Sequence, residues 1–380
     1  MTATQRIPDP MTQSHPNGGG RRRHARTPRR TDFTGLISGV CLLLAWLCGV
    51  QLSWQYYGAD LDVETQVRTA RVASHKLVKK EDRDRVLKLN TTDAPPVEGR
   101  PAHGEMWGYV YLPDIDRSWS RPIWEGTDEN TLNTLGAGHY ESTVMPGAVG
   151  NFALAGHDTA NDFAKTYGIR AGDQIIIRTP EHWYVYEATE TRVVTSSDTW
   201  VVSDNAPRAQ RGITLTTCWP MFTTVDTGQR FITWGRFVGW ADVGDGVPEA
   251  LAASRMTTVE RASSRLQTTS KDLNLPVTGV LSLCALAAWL VLDGLAWLAF
   301  RRRMIPLWRR RSWSPLTWLI RLQAGPAGGG RALKAVSFLI RLILLALMLA
   351  AATFALWRWA CPWLASTLPF LDTPHPGAVG

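Results

Sequence analysis

Of the five cysteines in this 380-residue chain, one stands apart. Cys41, Cys48 and Cys284 lie inside long apolar runs and Cys361 just beyond another, whereas Cys218 follows the β-type run Ile213-Thr214-Leu215-Thr216-Thr217 and precedes Trp219-Pro220. A strand that ends where the chain must turn can present its last side chain to solvent. A thiol with no second cysteine in its own domain is either a small buried apolar group or a reactive one. To act as a nucleophile it needs a base or cation that holds the thiolate, and donors for the oxyanion that its attack creates. Five histidines share its part of the chain: His75, His103, His139, His157 and His182. His75, His103 and His182 fall in charged or turn-like surroundings and read as surface residues. His139 and His157 each follow glycine at the end of a small-residue run, Gly-Ala-Gly-His and Leu-Ala-Gly-His, and a structural, hydrogen-bonded role is the first reading for both. Arg230 opens the next β-type run after Cys218, and if the two strands pair, the guanidinium and the thiol can meet. A lone arginine at a strand start is otherwise a rim ion pair.

The elements that must position these residues are short. From Trp107 onward, WGYVYLPDI, AVGNFALAG, DQIIIRT, HWYVYEATETRVVTS, GITLTTCW and RFITWGRFVGW are alternating or β-rich runs separated by turn residues at regular spacing. That is the pattern of an all-β barrel or sandwich over residues 105–243, a length ample for one core. Before it, residues 57–104 read as an extended stalk, charged and near helical spacing over 59–90 until Pro95-Pro96. After it, residues 244–276 read as a polar linker.

Charge and hydropathy place this unit beside a membrane. Residues 34–56, 277–300 and 335–357 are apolar blocks long enough to cross a bilayer. Residues 1–33 carry seven Arg and two Asp, and residues 301–334 carry nine Lys or Arg and no acid. The block 57–273 holds 23 basic and 29 acidic residues, so the basic runs flank the spans while the folded unit is acidic. A nucleic-acid binder is excluded, since it concentrates positive charge on its folded domain. The positive-inside rule puts the tail 1–33 and the loop 301–334 in the cytoplasm, and residues 57–273 and the tail 358–380 outside, with the loop's interleaved Trp and Arg suited to an anionic lipid surface.

Together these residues resemble the sortases, membrane-anchored cysteine transpeptidases of Gram-positive bacteria. Thr214-Leu215-Thr216-Thr217-Cys218 matches the family's TLxTC strand, Gly156-His157 its histidine strand, and Arg230 in Gln-Arg-Phe-Ile-Thr its arginine strand; 61 residues separate the histidine from the cysteine, and 12 separate the cysteine from the arginine. Gly108–Pro113, Pro122–Thr127, Gly136–Tyr140 and Pro146–Asn151 carry further matches. The resemblance implies an all-β fold, an eight-stranded sortase-type barrel flanked by transmembrane helices. It also implies three roles: Cys218 attacks the Thr–Gly bond of an LPxTG or LAxTG sorting signal and forms a thioester, His157 serves as acid and base, and Arg230 holds substrate and oxyanion, with Thr217 as a helper. The implied partners are sorting-signal-bearing surface proteins or pilins and an amine from a peptidoglycan precursor or a pilin lysine. The chemistry needs no metal or organic cofactor.

Trp219 and Asp158 depart from the patterns frequent in actinobacterial class E enzymes, where His follows the cysteine and Arg or Thr follows the histidine. No Asp-Pro-aromatic lid of the pilin-polymerising class C precedes Trp107, which favours housekeeping anchoring over pilus assembly. Leu275-Pro276-Val277-Thr278-Gly279 is itself an LPxTG pentapeptide followed by an apolar span and Arg301-Arg302-Arg303. It reads as a self-recognised sorting signal or as a coincidence of helix initiation, where Pro is favoured. An L,D-transpeptidase or a papain-like protease would place its cysteine and histidine in other contexts. A non-catalytic sortase-like scaffold would have no need to keep all three residues.

Overall fold

Eight strands close on themselves in the order β1-β2-β3-β4-β7-β8-β6-β5. They are β1 (Met106–Tyr111), β2 (Ser120–Glu125), β3 (Ala137–His139), β4 (Gly150–Ala155), β5 (Gln174–Arg178), β6 (His182–Thr195), β7 (Arg211–Trp219) and β8 (Gln229–Asp242). The computed structural model describes residues 33–58, 83–132, 136–160, 162–221, 227–303, 318–320, 323, 325–326 and 330–368. The basic tail before residue 33, the stalk over 59–82 with His75, most of the 301–334 loop and the tail beyond 368 lie outside these. The helices are α1 (Phe33–Ser53), α2 (Thr258–Leu273), α3 (Val277–Phe300) and α4 (Arg331–Thr367).

The alternation seen in the sequence sorts side chains to the two faces of the sheet. Val110, Ile123, Phe152, Leu154, Ile175, Ile177, Tyr184, Ile213 and Leu215 fill the barrel interior. β1, β5 and the first half of β6 are buried on their outer face as well, where Tyr109, Tyr111, Ile176, Trp183 and Val185 pack against Leu87, Val247 and Leu251. Those last three come from segments expected as stalk and linker. Residues 83–104 lie on the barrel instead: Val86 bridges Val247 and Asn90 bridges Trp240, and Arg100 donates to the buried Glu125 and to the Glu141 and Thr143 carbonyls. Residues 243–256 run beside them, with Leu87 N–H donating to Val247 O at 3.0 Å, Val247 N–H to Arg85 O at 2.8 Å and Ala253 N–H to Arg83 O at 3.0 Å. Apolar area is the physical reason: Leu87, Val247 and Leu251 bury against an apolar sheet face that would otherwise face water.

The expected linker contains a helix. α2 starts at a capping box in which Thr257 accepts from Glu260 N–H and the Glu260 carboxylate accepts from Thr257 N–H, satisfying donors that a helix start leaves open. The same carboxylate accepts from Arg117 N–H at 2.9 Å, docking the helix on the β1–β2 connection. α2 ends at Asn274 in the left-handed region, and α3 begins at Val277, directly behind Pro276.

α1, α3 and α4 are each long and apolar enough to cross a membrane. α3 and α4 run antiparallel, with Ser282 Oγ donating to Ala351 O and Ala296 packed on Leu344. α1 meets the far end of α4, where Val50 and Trp54 pack on Cys361 and Ala365 and the Trp357 indole donates to Val50 O. α4 continues ten residues past the expected end of its span at 357, through Pro362.

Candidate active site

β4, β7 and β8 are neighbours in the barrel, and their registers fix where Cys218, His157 and Arg230 fall. β4 and β7 pair in parallel from Gly150↔Arg211 to Ala155↔Thr216. Every one of those pairs has the offset of 61 that separates His157 from Cys218, and Gly156 N–H donating to Thr216 O continues the ladder past the end of β4. β7 and β8 are antiparallel, and Cys218 stands directly opposite Arg230. The two spacings noted in the sequence are therefore the two registers of this sheet. The three residues occupy one level across three adjacent strands, each following its strand's outward positions.

All three side chains are sequestered: Cys218 is 6% exposed, His157 6% and Arg230 5%. A thiol beside a guanidinium in poorly hydrated surroundings has a cation available to hold its ionised form, since charges interact more strongly where water is excluded. The outward face of β7 continues below them as a hydrogen-bonded column. Thr214 donates to Asn151 Oδ1 at 2.9 Å, Asn151 donates to Val202 O, and Thr216 donates to Leu154 O. Tyr140 caps the column, its hydroxyl 3.2 Å from Thr216 Oγ1. Burial holds the Tyr140 phenol above its ordinary pKa, with the Thr216 bond and the Arg230 charge acting the other way and the Cys218 thiolate adding to burial.

His157 is positioned by the turn that follows it. Phe163 N–H donates to His157 O, and Asp162 N–H donates to Thr159 O. The Phe163 ring lies over Gly156, where an added Cβ would come within 2.4 Å of it. Asp162, itself buried, meets Arg121 of β2 at 3.3 Å, and that guanidinium lies over Trp119. Asp158 and Thr159, next to the histidine, are buried as well.

Thr217 is fully buried on the opposite face of β7 from Cys218, with Leu215 and Ile213, and its hydroxyl has no hydrogen-bond partner among the described residues. Its side chain is not brought to the thiol. The other histidines are elsewhere. His139 is fully buried and bonds Glu125 at 2.8 Å and Thr143 at 3.1 Å. His103 is exposed between Asp128 and Glu141. His182 is not the solvated turn residue expected: it is partly buried, 2.8 Å from Glu98 and 3.4 Å from Asp242. Leu275 to Gly279 form the junction between α2 and α3. Ser270 Oγ donates to Leu275 O, Val280 N–H donates to Pro276 O, and Thr278 is 0% exposed in the first turn of α3.

Sequence reasoning assigned no chemistry to Tyr140, Thr216 and Tyr167, all of which surround Cys218. Tyr140 and Thr216 stood inside recognised motifs. Tyr167 carried no motif signal, because its place is set by the crossing of the β4–β5 connection.

Residues 110–238 match the family profile of the Sortase domain. Sortase SrtE1 of Streptomyces coelicolor is 33% identical over 164 residues, which cover 40% of this chain and 45% of that protein. Sortase A of Listeria monocytogenes is 32% identical over 132 residues, covering 34% of this chain and 54% of that protein. The match thus spans about half the length of these curated relatives. Among solved structures, the SrtA sortase from Actinomyces oris is 34% identical with a TM-score of 0.39, covering 44% of this chain and 98% of that one. The matched segment begins within β1 and ends within β8, so it is the barrel that is similar to the Sortase domain.

Proposed function

We propose that the protein is a membrane-tethered cysteine transpeptidase that attaches surface proteins to a cell-wall amine. The single observation that carries this reading is the alignment of His157, Cys218 and Arg230 at one level of β4, β7 and β8. In it the Cys218 thiolate attacks the carbonyl carbon of the Thr–Gly bond in an LPxTG or LAxTG signal. Arg230 stabilises the oxyanion, as positioned cationic donors do. His157 gives its proton to the departing glycine amine, leaving a thioester on Cys218, and takes a proton from the incoming amine as that amine displaces the thiol. Thr217 has no direct contact with substrate in this scheme; Thr216 and Tyr140 line the face on which the thiol sits.

The three long apolar helices support residence in a membrane. The basic runs at 1–33 and 301–334 support one sense of insertion, with those segments inside and the barrel outside. Anchoring to a peptidoglycan precursor is preferred to pilin polymerisation because the segment before Trp107 carries Arg100 and Pro95-Pro96 packed on the barrel and no aromatic lid.

The test uses the full chain in detergent with fluorogenic LPxTG and LAxTG peptides, with and without hydroxylamine, beside Cys218→Ala. The expected result is cleavage that rises with the added amine and is absent in the variant; the preferred peptide assigns the signal. Cleavage insensitive to amine would make the protein a thiol endopeptidase. No turnover, with Cys218 still reactive toward alkylating reagents, would favour a scaffold that presents partners without processing them.

A further inference from the structure

Behind the thiol, on the barrel side of the sheet, a tyrosine reaches the main chain of the nucleophile itself. Tyr167 lies in the 3-10 turn Phe163–Gly168 of the β4–β5 connection, and its hydroxyl donates to the Cys218 carbonyl at 2.5 Å. Its ring stands edge-on to Trp219 at 4.9 Å and to Phe231 at 5.1 Å, and Trp219 and Phe231 stack on each other at 5.7 Å. Trp219 follows the cysteine and Phe231 follows the arginine. One phenol ring is thereby wedged against the residues next to both Cys218 and Arg230, with its hydroxyl on the peptide between Cys218 and Trp219.

We infer that Tyr167 is a positioning residue for the Cys218 thiolate, acting through the nucleophile's own carbonyl. This rests on the reading of Cys218 as nucleophile. The physical argument has two parts. The carbonyl oxygen of Cys218 carries partial negative charge a few bonds from Sγ, which opposes ionisation of the thiol. A hydroxyl that donates to this oxygen draws off that charge and holds the carbonyl toward the 3-10 turn. Secondly, β7 at Cys218 is paired with β8 alone, since its ladder with β4 ends at Ala155↔Thr216 and the strand itself ends at Trp219, so the wedge adds to one-sided strand pairing in fixing the direction of the Cα–Cβ bond. The phenol remains a donor across the working range. Burial raises its pKa far above the ordinary value, and the charges of Asp158 and the Cys218 thiolate raise it further.

The experiment compares wild type, Tyr167→Phe and Tyr167→Leu as full chains in detergent. The first readout is the pH dependence of Cys218 alkylation by iodoacetamide, followed on the Cys218 peptide by mass spectrometry because Cys41, Cys48, Cys284 and Cys361 are also free thiols. Tyr167→Phe keeps the ring and its stacking and loses only the donor. It is expected to slow alkylation at neutral pH about fivefold to tenfold by moving the ionisation midpoint upward, the scale of one hydrogen bond to a charged-state neighbour. Its unfolding midpoint should stay within about 2 °C of wild type. With a cleavable sorting peptide, kcat falls by the same factor and KM does not change. Tyr167→Leu loses ring and donor and shows the larger effect. An alkylation profile for Tyr167→Phe that superimposes on wild type overturns the inference, as does a loss in both variants that tracks a fall in unfolding temperature. Alkylation needs no peptide. A wild type that cleaves nothing would therefore count against transpeptidation, while the shift in the thiol profile still decides the role of Tyr167.

Discussion

At the scale of single residues, the site depends as much on what is missing as on what is present. Gly156 leaves room for the Phe163 ring directly before His157, and that ring cannot recede because it is fully buried in the barrel core. Gly156→Ala is expected to cost about 1–3 kcal/mol of stability through overpacking. It should also lower turnover by more than that stability loss explains, because the displaced turn carries the histidine; thermal unfolding and peptide cleavage, measured on one preparation, separate the two effects. The juxtaposition of Cys218, His157 and Arg230 was legible in the sequence for a definite reason: their separations of 61 and 12 residues are strand registers, and register is constrained by the side-chain period of two. Tyr167 was not legible. Nothing in Phe-Ala-Lys-Thr-Tyr-Gly indicates that a 3-10 turn will carry the fifth residue of this run to the end of a strand fifty residues later. Thr217 shows the converse: adjacency to Cys218 in sequence places it on the other face of the sheet.

At the scale of elements, the strands announced themselves and the helix α2 did not. Alternation in HWYVYEATETRVV and in RGITLTTCW reflects a sheet with one face in the core. Thr258–Leu273 contains six Ser or Thr residues and only four apolar ones, so intrinsic propensity argues only weakly for a helix. Its start is held by one carboxylate that closes the capping box and reaches Arg117. Although partial burial acts to raise the Glu260 pKa, the N–H donors of Arg117 and Thr257, the Thr257 hydroxyl and the Arg117 charge hold it below the usual carboxylate value. A depressed folded-state pKa contributes stability above the unfolded value and loses it as pH falls through the folded one. Amides of the first turns of α2 are therefore expected to be protected from hydrogen exchange at pH 7 and to lose protection as pH falls below the ordinary glutamate range, ahead of those in β7, and Glu260→Gln should show the weaker protection already at pH 7. The third span was expected to end at 357, and α4 runs on to Thr367 through Pro362. α4 accommodates that proline near its C-terminal end, where the lost N–H costs one bond in the last turns.

At the scale of the whole molecule, the LPVTG pentapeptide becomes part of a joint. Thr278 is inaccessible and its peptide bond to Gly279 lies inside the first turn of α3, whereas a protease or transpeptidase needs an extended, exposed strand to attack. The full chain, kept for hours with its thiol reduced, is expected to show no fragment ending at Thr278 by intact mass; such a fragment would mean that the α2–α3 junction opens and that the protein processes itself. The same junction is one of two routes from barrel to membrane. The other descends from residue 83, and the two are zipped together by Leu87, Val247, Arg83 and Ala253 before they part. A globe on a single cord spins freely and its mouth samples every compass direction. A globe held by two cords fastened at one seam turns only until the cords twist together. On the proposed topology, with both approaches fastened at the Arg83–Ala253 and Leu87–Val247 pairs, pull from either span reaches the barrel at that seam.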